Sequence, residues 1–295
     1  MPSEHLEYEM SCMGYFYRSV CLFQTQPSSG TCRNLRGIVG HRKVFHTPTC
    51  RTSSTPTDCT CSAVTGSPTV LRIGHGKSEG ERMDIKNFQI YVRDVLQHID
   101  IMKGRYPKLP VFIIGHSMGG AISILTTCER PQDFAGVVLI GPMVQMNAES
   151  ATPFKVFMAK ILNRLTPKLS LGSIESKWVS RDPKQVEAYD TDELNYHGGL
   201  RISFGMQLME AAARIERELP NITWPFFILH GNADKLCDIR GAHLMYNGAK
   251  STDKKLKVYE EAYHALHHDL PETIESVLKE VSTWILERLP APHGS

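Results

Sequence analysis

The sequence predicts an α/β fold, with a mainly parallel sheet covered by helices on both faces, for residues 71–295. Short apolar runs of strand length alternate there with longer stretches whose apolar residues recur at helical spacing. A strand inside a parallel sheet is buried on both faces, so it is apolar throughout instead of alternating with polar residues. Alternation of such strands with helices is typical of a parallel sheet between two helical layers.

The first predicted elements lead up to the middle of the chain. "TVLRI" (69–73) predicts a short strand, and a loop rich in glycine and charge follows it. "PVFIIG" (110–115) predicts a buried strand, and the residues from Ser117 to about Glu129 predict a helix. The helix before that strand has one apolar face, which consists of Phe88, Val92, Val95, Leu96, Ile99 and Met102.

Three further strands are predicted in the second half, at "AGVVLIG" (135–141), "PFFILHG" (225–231) and "LKVYE" (256–260). The last helix begins at Pro271, because proline is tolerated at the first helical position. Its apolar face consists of Ile274, Val277, Leu278, Val281 and Ile285. No internal repeats occur.

The alternation of strands and helices stops between residues 147 and about 220. Within this stretch, "FKVFMAKILNRL" (154–165) places apolar residues on one helical face and Lys155, Lys160 and Arg164 elsewhere. We therefore expect a helical cap inserted over the sheet. Such a face suits a helix that lies at a lipid surface, or one that packs onto the sheet.

Residues 1–70 differ from the rest, because Ser, Thr, Cys and Pro dominate "TPTCRTSSTPTDCTCSAVTGSPT" without an apolar period. We expect a divergent, poorly ordered segment, since it buries too little to offset the entropy of ordering. Only "MGYFYRSVCLF" (13–23) has weak strand or helix potential. The cysteines show neither a disulfide framework nor paired zinc-ligand spacing, although six of the eight lie here: Cys12, Cys21, Cys32, Cys50, Cys59 and Cys61.

Composition narrows the class of protein. The net charge is +2 and no basic stripe is interleaved with aromatic residues, which argues against nucleic acid as a main partner. No apolar run approaches the roughly 20 residues of a membrane-spanning helix. Glu4, Glu7 and Glu9 stand where a secretory signal would carry basic residues. We expect a cytoplasmic protein without a metal or cofactor.

A candidate nucleophile lies between a predicted strand and a predicted helix, in Gly115-His116-Ser117-Met118-Gly119. A serine hydroxyl needs a base to take its proton and donors to stabilise the oxyanion. A sharp strand-to-helix turn exposes the hydroxyl and directs the next backbone N–H groups at the reacting carbonyl. The turn crowds the neighbouring chain, which requires small residues two positions before and after the serine.

Candidate partners for Ser117 follow later strands in the order acid, then histidine. Asp234 comes just after "FILHG", and His264 follows "LKVYE". The carboxyl ends of parallel strands meet at one edge of a sheet, where catalytic groups gather. Asp238 is an alternative acid, and His267 and His268 are alternative bases.

Five stretches resemble the monoacylglycerol lipase family of α/β-hydrolases: "GHGKSEGERM", "YVRDVLQHID", "LPVFIIGHSMGGAISIL", "HGNADKLCD" and "YEEAYHALHHDLPE". The resemblance extends from about residue 73 to residue 289. It implies an α/β-hydrolase fold and hydrolysis of monoacylglycerols, signalling ones included, to glycerol and free fatty acid. It further implies a mobile apolar cap at about 147–215 and peripheral membrane association through that cap, and it allows a homodimer.

By motif, the resemblance also implies roles for individual residues. Ser117 would be the nucleophile, Asp234 the acid and His264 the base, and the Met118 backbone N–H would lie in the oxyanion hole. Tyr189 matches a position that lines the polar alcohol pocket of the family.

His267 matches a second position of that pocket, and Cys237 matches a cysteine beside the site. Tyr196 and Ser203 replace two other family cysteines. The resemblance therefore implies reduced sensitivity to thiol reagents.

The resemblance stops near residue 72, before which the family has a block of strands. One of those strands ends in a His-Gly loop that donates the second oxyanion N–H, but no His-Gly precedes His75-Gly76, which matches a later loop. We expect the N-terminal strands to be missing or replaced. "VFII" would then lie at an unpaired edge or pair with an improvised partner such as "TVLRI", and turnover would be lower by at least about 10².

Three functions fit these observations. The first is a serine esterase that cleaves monoacylglycerols. The second is a catalytically impaired isoform that acts as an interaction protein. The third is another hydrolase of the same fold, such as a lysophospholipase or an aminopeptidase.

Overall fold

The computed structural model describes residues 20–24, 74–75, 80–145, 159, 161–170 and 172–289. Within them, one sheet has the strand order β1-β2-β3-β4-β5. Strands β2 to β5 are parallel, whereas β1 runs antiparallel to β2. The strands are β1 (Val20–Gln24), β2 (Val111–His116), β3 (Gly136–Ile140), β4 (Phe226–Gly231) and β5 (Lys254–Tyr259).

The helices of the described residues separate the parallel strands, so the predicted α/β fold is confirmed. They are α1 (Gln89–Arg105), α2 (Met118–Glu129), α3 (Pro183–Thr191), α4 (Ile202–Glu218), α5 (Ile239–Gly248) and α6 (Pro271–Leu286). Pro271 occupies the first turn of α6 as predicted. No helix among these residues is long and apolar enough to cross a membrane.

The apolar runs form the central strands. Every residue of β2, β3 and β4 is buried, as expected for strands covered on both faces. β5 has a neighbour on one side only, within the described chain, and is partly exposed. Lysines at positions 254, 255 and 257 line this strand, and charged side chains on an edge discourage pairing with another chain.

Two cores cover the sheet. Alternate strand residues such as Ile113, Leu139 and Ile228 pack on one face with residues of α1, α2, α4 and α5. Their neighbours in sequence, such as Phe227, pack on the other face with α6, where Trp284 is fully buried. The alternation of side chains along each strand explains this division.

The candidate nucleophile strand has an improvised partner, which was one of the two expected outcomes, and that partner is β1. β1 pairs antiparallel with β2 along its full length, from Val20 opposite Gly115 to Gln24 opposite Val111. β3 occupies the other side of β2, so β2 is not at an edge of the sheet. The weak strand potential of residues 13–23 was therefore the sequence signal that indicated β1. This strand lies where the N-terminal strands of the family were expected to be missing or replaced. The rest of residues 1–73 lies outside the described residues, as does "TVLRI".

The range predicted to form a cap contains α3 and most of α4. Phe204, Leu208, Ala211 and Ile215 of α4 belong to the same core as α1 and α2. Phe154, Phe157 and Met158 of the predicted interfacial face lie outside the described residues. Residues 161–165 are helical, with Ile161 39% and Leu165 73% exposed.

Candidate active site

Ser117 occupies the turn between β2 and α2 and has a strained backbone. Its φ is 56° and its ψ is −123°, a left-handed φ that is rare for any residue other than glycine. The Ser117 N–H donates to the Ile140 carbonyl of β3 at 3.1 Å, and the Ser117 carbonyl accepts from Gly120 at 2.9 Å. Hydrogen bonds on both sides therefore hold the strained conformation in place.

Gly115 shows why a small residue is required before this turn. A Cβ built on Gly115 would lie 2.5 Å from the carbonyl oxygen of Gly119 and would also collide with Ser123 Oγ. Ser123 Oγ donates to that same carbonyl at 2.8 Å, so the crowded group is fixed. The steric requirement inferred from the Gly-x-Ser-x-Gly spacing is thus present in the fold.

Asp234 and His264 form a buried hydrogen-bonded pair. Asp234 lies just after β4 and His264 lies in the loop after β5, where the carboxyl ends of the strands meet. His264 Nδ1 is 2.7 Å from Asp234 Oδ2, so Nδ1 carries the hydrogen and donates it to the carboxylate. The other oxygen, Oδ1, accepts from the backbone N–H groups of Leu236 at 2.8 Å and Cys237 at 3.0 Å.

The Asp234 carboxylate is ionised in spite of its burial. Burial by itself would raise the pKa of Asp234, but the charge of His264 and hydrogen bonds from His230 and His264 outweigh it and lower the pKa. Gly141 makes room for the pair, because a Cβ there would lie 3.0 Å from the His264 carbonyl oxygen and 3.4 Å from Asp234 Oδ2.

Three more histidines form a chain of ring contacts with His264, of which His116 is buried and His267 and His268 are half-buried. The ring of His116 lies 4.6 Å, between centroids, from the rings of both His264 and His267, and the ring of His268 lies 4.5 Å from that of His267. Burial lowers the pKa of His116 and His267 well below the usual value, and neighbouring histidines add to the effect. Burial also lowers the pKa of His268 to about 4.

The structure separates the alternative candidates. Asp238 accepts the Arg240 backbone N–H at 2.9 Å at the start of α5 and forms an ion pair with the Arg240 side chain. Its carboxylate is thus engaged away from the histidines. His267 and His268 lie in the same loop as His264, but it is His264 that forms the 2.7 Å hydrogen bond with Asp234.

The other predicted site residues lie around the serine and the His264 loop. Cys237 Sγ is 3.9 Å from Ser117 Oγ, and burial raises the pKa of this thiol, as does the charge of Asp234. Tyr189 of α3 is buried and packs with Val179 and Ala265. The Met118 N–H lies in the first turn of α2, where helix N–H groups lack intrahelical acceptors.

Sequence reasoning missed two groups at this site. His230 of β4 lies 3.3 Å from Asp234 Oδ2 through its Nε2 atom. Arg181 Nε donates to both carboxylate oxygens of buried Asp269, at 3.1 and 3.0 Å, and Arg181 Nη2 donates to Thr273 Oγ1 at 2.9 Å. This ion pair joins the segment before α3 to the loop that carries His264. The only available signal was the position of His230 at a strand end, four residues before Asp234.

Metal binding has no candidate in the described part of the chain. No group of three or more His, Cys, Asp or Glu side chains there has the arrangement that could hold a metal ion.

The fold and the site together define a class of protein. A buried serine on a strained strand-to-helix turn, followed in the chain by a hydrogen-bonded aspartate and histidine at later strand ends, is the arrangement of α/β-hydrolases. A family profile described as "Serine aminopeptidase, S33" matches residues 72–271. The chain belongs to this family of hydrolases, and its relatives within the family include monoglyceride lipases.

Three comparisons show the degree of similarity. A monoglyceride lipase of Homo sapiens is 55% identical over 216 residues, which are 73% of this chain and 71% of that protein. A monoacylglycerol lipase of Mycolicibacterium smegmatis is 31% identical over 216 residues, or 73% of this chain and 76% of that protein. The crystal structure of Paleococcus ferrophilus monoacylglycerol lipase has a TM-score of 0.63 at 30% identity, covering 74% of this chain and 81% of that one. The family match begins at residue 72, which confirms that the resemblance stops there.

Proposed function

We propose that this chain is a serine hydrolase that cleaves monoacylglycerols to a free fatty acid and glycerol. Ser117 is the nucleophile, His264 the general base and Asp234 the group that orients and charges the base. The observation that carries the proposal is the strained, buried Ser117 together with the 2.7 Å Asp234–His264 hydrogen bond. All three residues lie inside the part of the chain that matches the hydrolase family.

The proposed reaction has two halves. Ser117 Oγ attacks the ester carbonyl while its proton passes to His264 Nε2, because Nδ1 already carries the hydrogen that binds Asp234. The ester C–O bond then breaks, and the glycerol oxygen leaves with the proton from His264. Water attacks the acyl-enzyme in the same way, which releases the fatty acid and restores Ser117.

The Met118 N–H is proposed to stabilise the oxyanion. It lies at the amino end of α2, where unsatisfied N–H groups and the helix dipole both favour negative charge. A second donor from the His-Gly loop of the family has no counterpart before residue 75. The proposed oxyanion hole therefore has one assigned hydrogen-bond donor, the Met118 N–H.

Tyr189 and His267 are proposed to bind the glycerol hydroxyl groups. Tyr189 packs against Ala265, which is next to His264, and the ring of His267 lies 4.6 Å from that of His116, which is next to Ser117. Burial raises the pKa of Tyr189 to about 12, so its hydroxyl remains a neutral donor. The lowered pKa of His267 likewise leaves a neutral ring beside a neutral alcohol.

The cap is proposed to touch a lipid surface, which would make the protein peripherally membrane-associated; a cytoplasmic location is proposed beside it. Among the described residues in the first part of the cap, four large apolar side chains are exposed: Ile161, Leu165, Leu169 and Ile174. Together they present apolar area on one stretch of chain, and exposed apolar area of this kind favours the boundary between lipid headgroups and acyl chains.

A fluorophosphonate probe tests the assignment of the nucleophile, because labelling needs an activated serine. We expect the wild-type chain to be labelled and the Ser117→Ala variant to remain unlabelled. Ser282→Ala is the matched control, since Ser282 Oγ donates to the Leu278 carbonyl in α6, away from the site. Labelling that survives Ser117→Ala, or no labelling of the folded wild-type chain, would contradict the proposal.

Substrate class is tested with a panel of 1- and 2-acylglycerols, lysophospholipids and aminoacyl amides of equal acyl length. We expect free fatty acid and glycerol from the acylglycerols at the highest rate. Faster cleavage of lysophospholipids or amides would assign a different hydrolase of the same fold.

A further inference from the structure

His230 is a fully buried histidine at the carboxyl end of β4 for which the proposed reaction has no step. Its Nε2 atom lies 3.1 Å from the carbonyl oxygen of Cys237 and 3.3 Å from Asp234 Oδ2. The ring thus stands between the carboxylate that binds His264 and the backbone of the residue whose thiol faces Ser117.

The contacts define which ring nitrogen carries the hydrogen. A backbone carbonyl can only accept, so His230 Nε2 must be a donor. The other nitrogen, Nδ1, is buried and has no hydrogen-bond partner among the described residues, and a hydrogen there would be left unsatisfied. His230 Nε2 therefore carries a hydrogen, which lies between the Cys237 carbonyl and the Asp234 carboxylate.

The Asp234 carboxylate needs a donor at this position. Oδ1 already accepts two backbone N–H groups, whereas Oδ2 accepts from His264 on one side. A carboxylate oxygen can accept more than one hydrogen bond, and a buried anion without its partners is costly. The ring of His230 supplies an N–H on the side of Oδ2 that His264 does not use.

We propose that His230 is a positioning residue, whose Nε2–H holds the Asp234 carboxylate and the Cys237 carbonyl in one geometry. The carboxylate, in turn, presents the His264 ring to Ser117 in a single orientation. This role rests on the proposed function, because it acts through the proposed catalytic histidine.

Several titratable groups face the pair of His230 and Asp234. His264 lies on the loop after β5, and the Cys237 thiol lies in the loop after β4 and remains protonated because burial raises its pKa. Asp238 stands at the start of α5, where the positive charge of Arg240 compensates it. Loss of the His230 donor therefore acts mainly on Asp234 and, through it, on His264.

Two substitutions separate hydrogen bonding from packing. His230→Leu removes the donor and keeps an apolar side chain of similar bulk. His230→Gln replaces the ring with an amide whose nitrogen can reach the position of Nε2 and donate there. Should His230→Leu fail to fold, His230→Asn takes its place, because the shorter amide reaches only the position of Nδ1.

We expect His230→Leu to lower kcat/KM for a soluble ester by about 10- to 100-fold, the effect of one charge-assisted hydrogen bond. The loss is expected in kcat, with KM nearly unchanged. The acidic limb of the pH–rate profile is expected to move to higher pH, since Asp234 with one donor fewer holds a proton on His264 more strongly. His230→Gln is expected to restore both the rate and the profile to within a few-fold.

The low-field proton NMR signal of the His264 Nδ1–H provides a readout that does not depend on turnover. We expect its position to change in His230→Leu and to return in His230→Gln. An unchanged signal and an unchanged acidic limb in His230→Leu would overturn the proposal, as would equal losses in both variants. If the folded wild-type chain were not labelled by a fluorophosphonate, the proposed function would fail, and the NMR comparison would still decide the role of His230.

Discussion

Replacement of Asp234 by asparagine is the sharpest test of the proposed triad. The change keeps the shape of the side chain and removes its charge. Oδ1 of Asp234 accepts two backbone N–H groups, so the asparagine oxygen is expected to take that side and the amide nitrogen to face His264. His264 Nδ1 then meets a donor where it now meets an acceptor at 2.7 Å. The imidazole would have to move its hydrogen to Nε2, and it could no longer take the proton of Ser117.

The expected loss is large. The same substitution in the aspartate of a serine protease triad costs about 10⁴ in kcat, because the histidine is held in the wrong tautomer. We expect Asp234→Asn to lower turnover of p-nitrophenyl butyrate by about 10³–10⁴ at equal folded concentration. The rate of fluorophosphonate labelling is expected to fall in parallel.

Asp238→Asn is the matched control, four residues further along the same loop. Asp238 accepts a backbone N–H at the start of α5 and pairs with Arg240 at the surface, and asparagine is an equally good residue at a helix start. Turnover is expected to stay within about threefold of wild type, since surface ion pairs contribute little. Comparable losses in both variants, or more than a tenth of wild-type turnover in Asp234→Asn, would refute the assignment of Asp234.

Four other outcomes are expected. Gly115→Ala should destabilise the fold by about 1–3 kcal/mol in chemical denaturation and abolish fluorophosphonate labelling, because its Cβ would lie 2.5 Å from the Gly119 carbonyl oxygen. The control Gly104→Ala should do neither, since a Cβ there meets nothing within 4 Å. The pKa of His268 is about 4 in the fold and about 6.5 in the unfolded chain, so between these pH values the unfolded chain binds more protons and Tm should fall as the pH drops from about 6.5 to 4. The dependence of Tm on pH should be shallower in His268→Gln, and an equal dependence in both proteins would remove His268 as the cause. Leu165→Ser should weaken binding to phospholipid vesicles without slowing cleavage of a short soluble ester. The control Ile101→Ser changes an exposed residue of α1 and should leave both vesicle binding and cleavage intact. Equal effects of the two substitutions would argue against lipid contact through the cap. A chimera in which the N-terminal block of a family member replaces residues 1–70 should turn over a monoacylglycerol at least about 10² faster, and equal rates would show that this chain already supplies the missing donor.

Local pattern was sufficient to predict the parallel part of the sheet and the placement of the candidate triad. Apolar runs mark the buried strands, and functional residues that directly follow such runs must lie at one edge of a parallel sheet. Ser117, Asp234 and His264 were therefore identifiable as candidates without coordinates. The resemblance to a known family added specificity to the same positions.

Long-range contacts were beyond the reach of local pattern. Residues 20–24 carry only a weak strand signal, and their pairing with β2 depends on a partner about ninety positions away. His230 looks like an ordinary member of an apolar strand, because its contact with Asp234 arises only when the chain turns after Gly231. The Arg181–Asp269 ion pair joins two loops that are distant in sequence, so no spacing rule could indicate it.

The antiparallel position of β1 has a consequence for the order of folding. β2 acquires β3 through the short α2 crossover, whereas the link from β1 to β2 runs from residue 25 to residue 110. Closing the longer loop costs more entropy, and such distant pairings form late and open early. One side of the strand that leads to Ser117 would then be exposed as an unpaired edge in partly folded chains, which is where intermolecular strand pairing begins. The yield of refolding at rising protein concentration would therefore depend on residues 20–24, although none of them belongs to the proposed catalytic machinery.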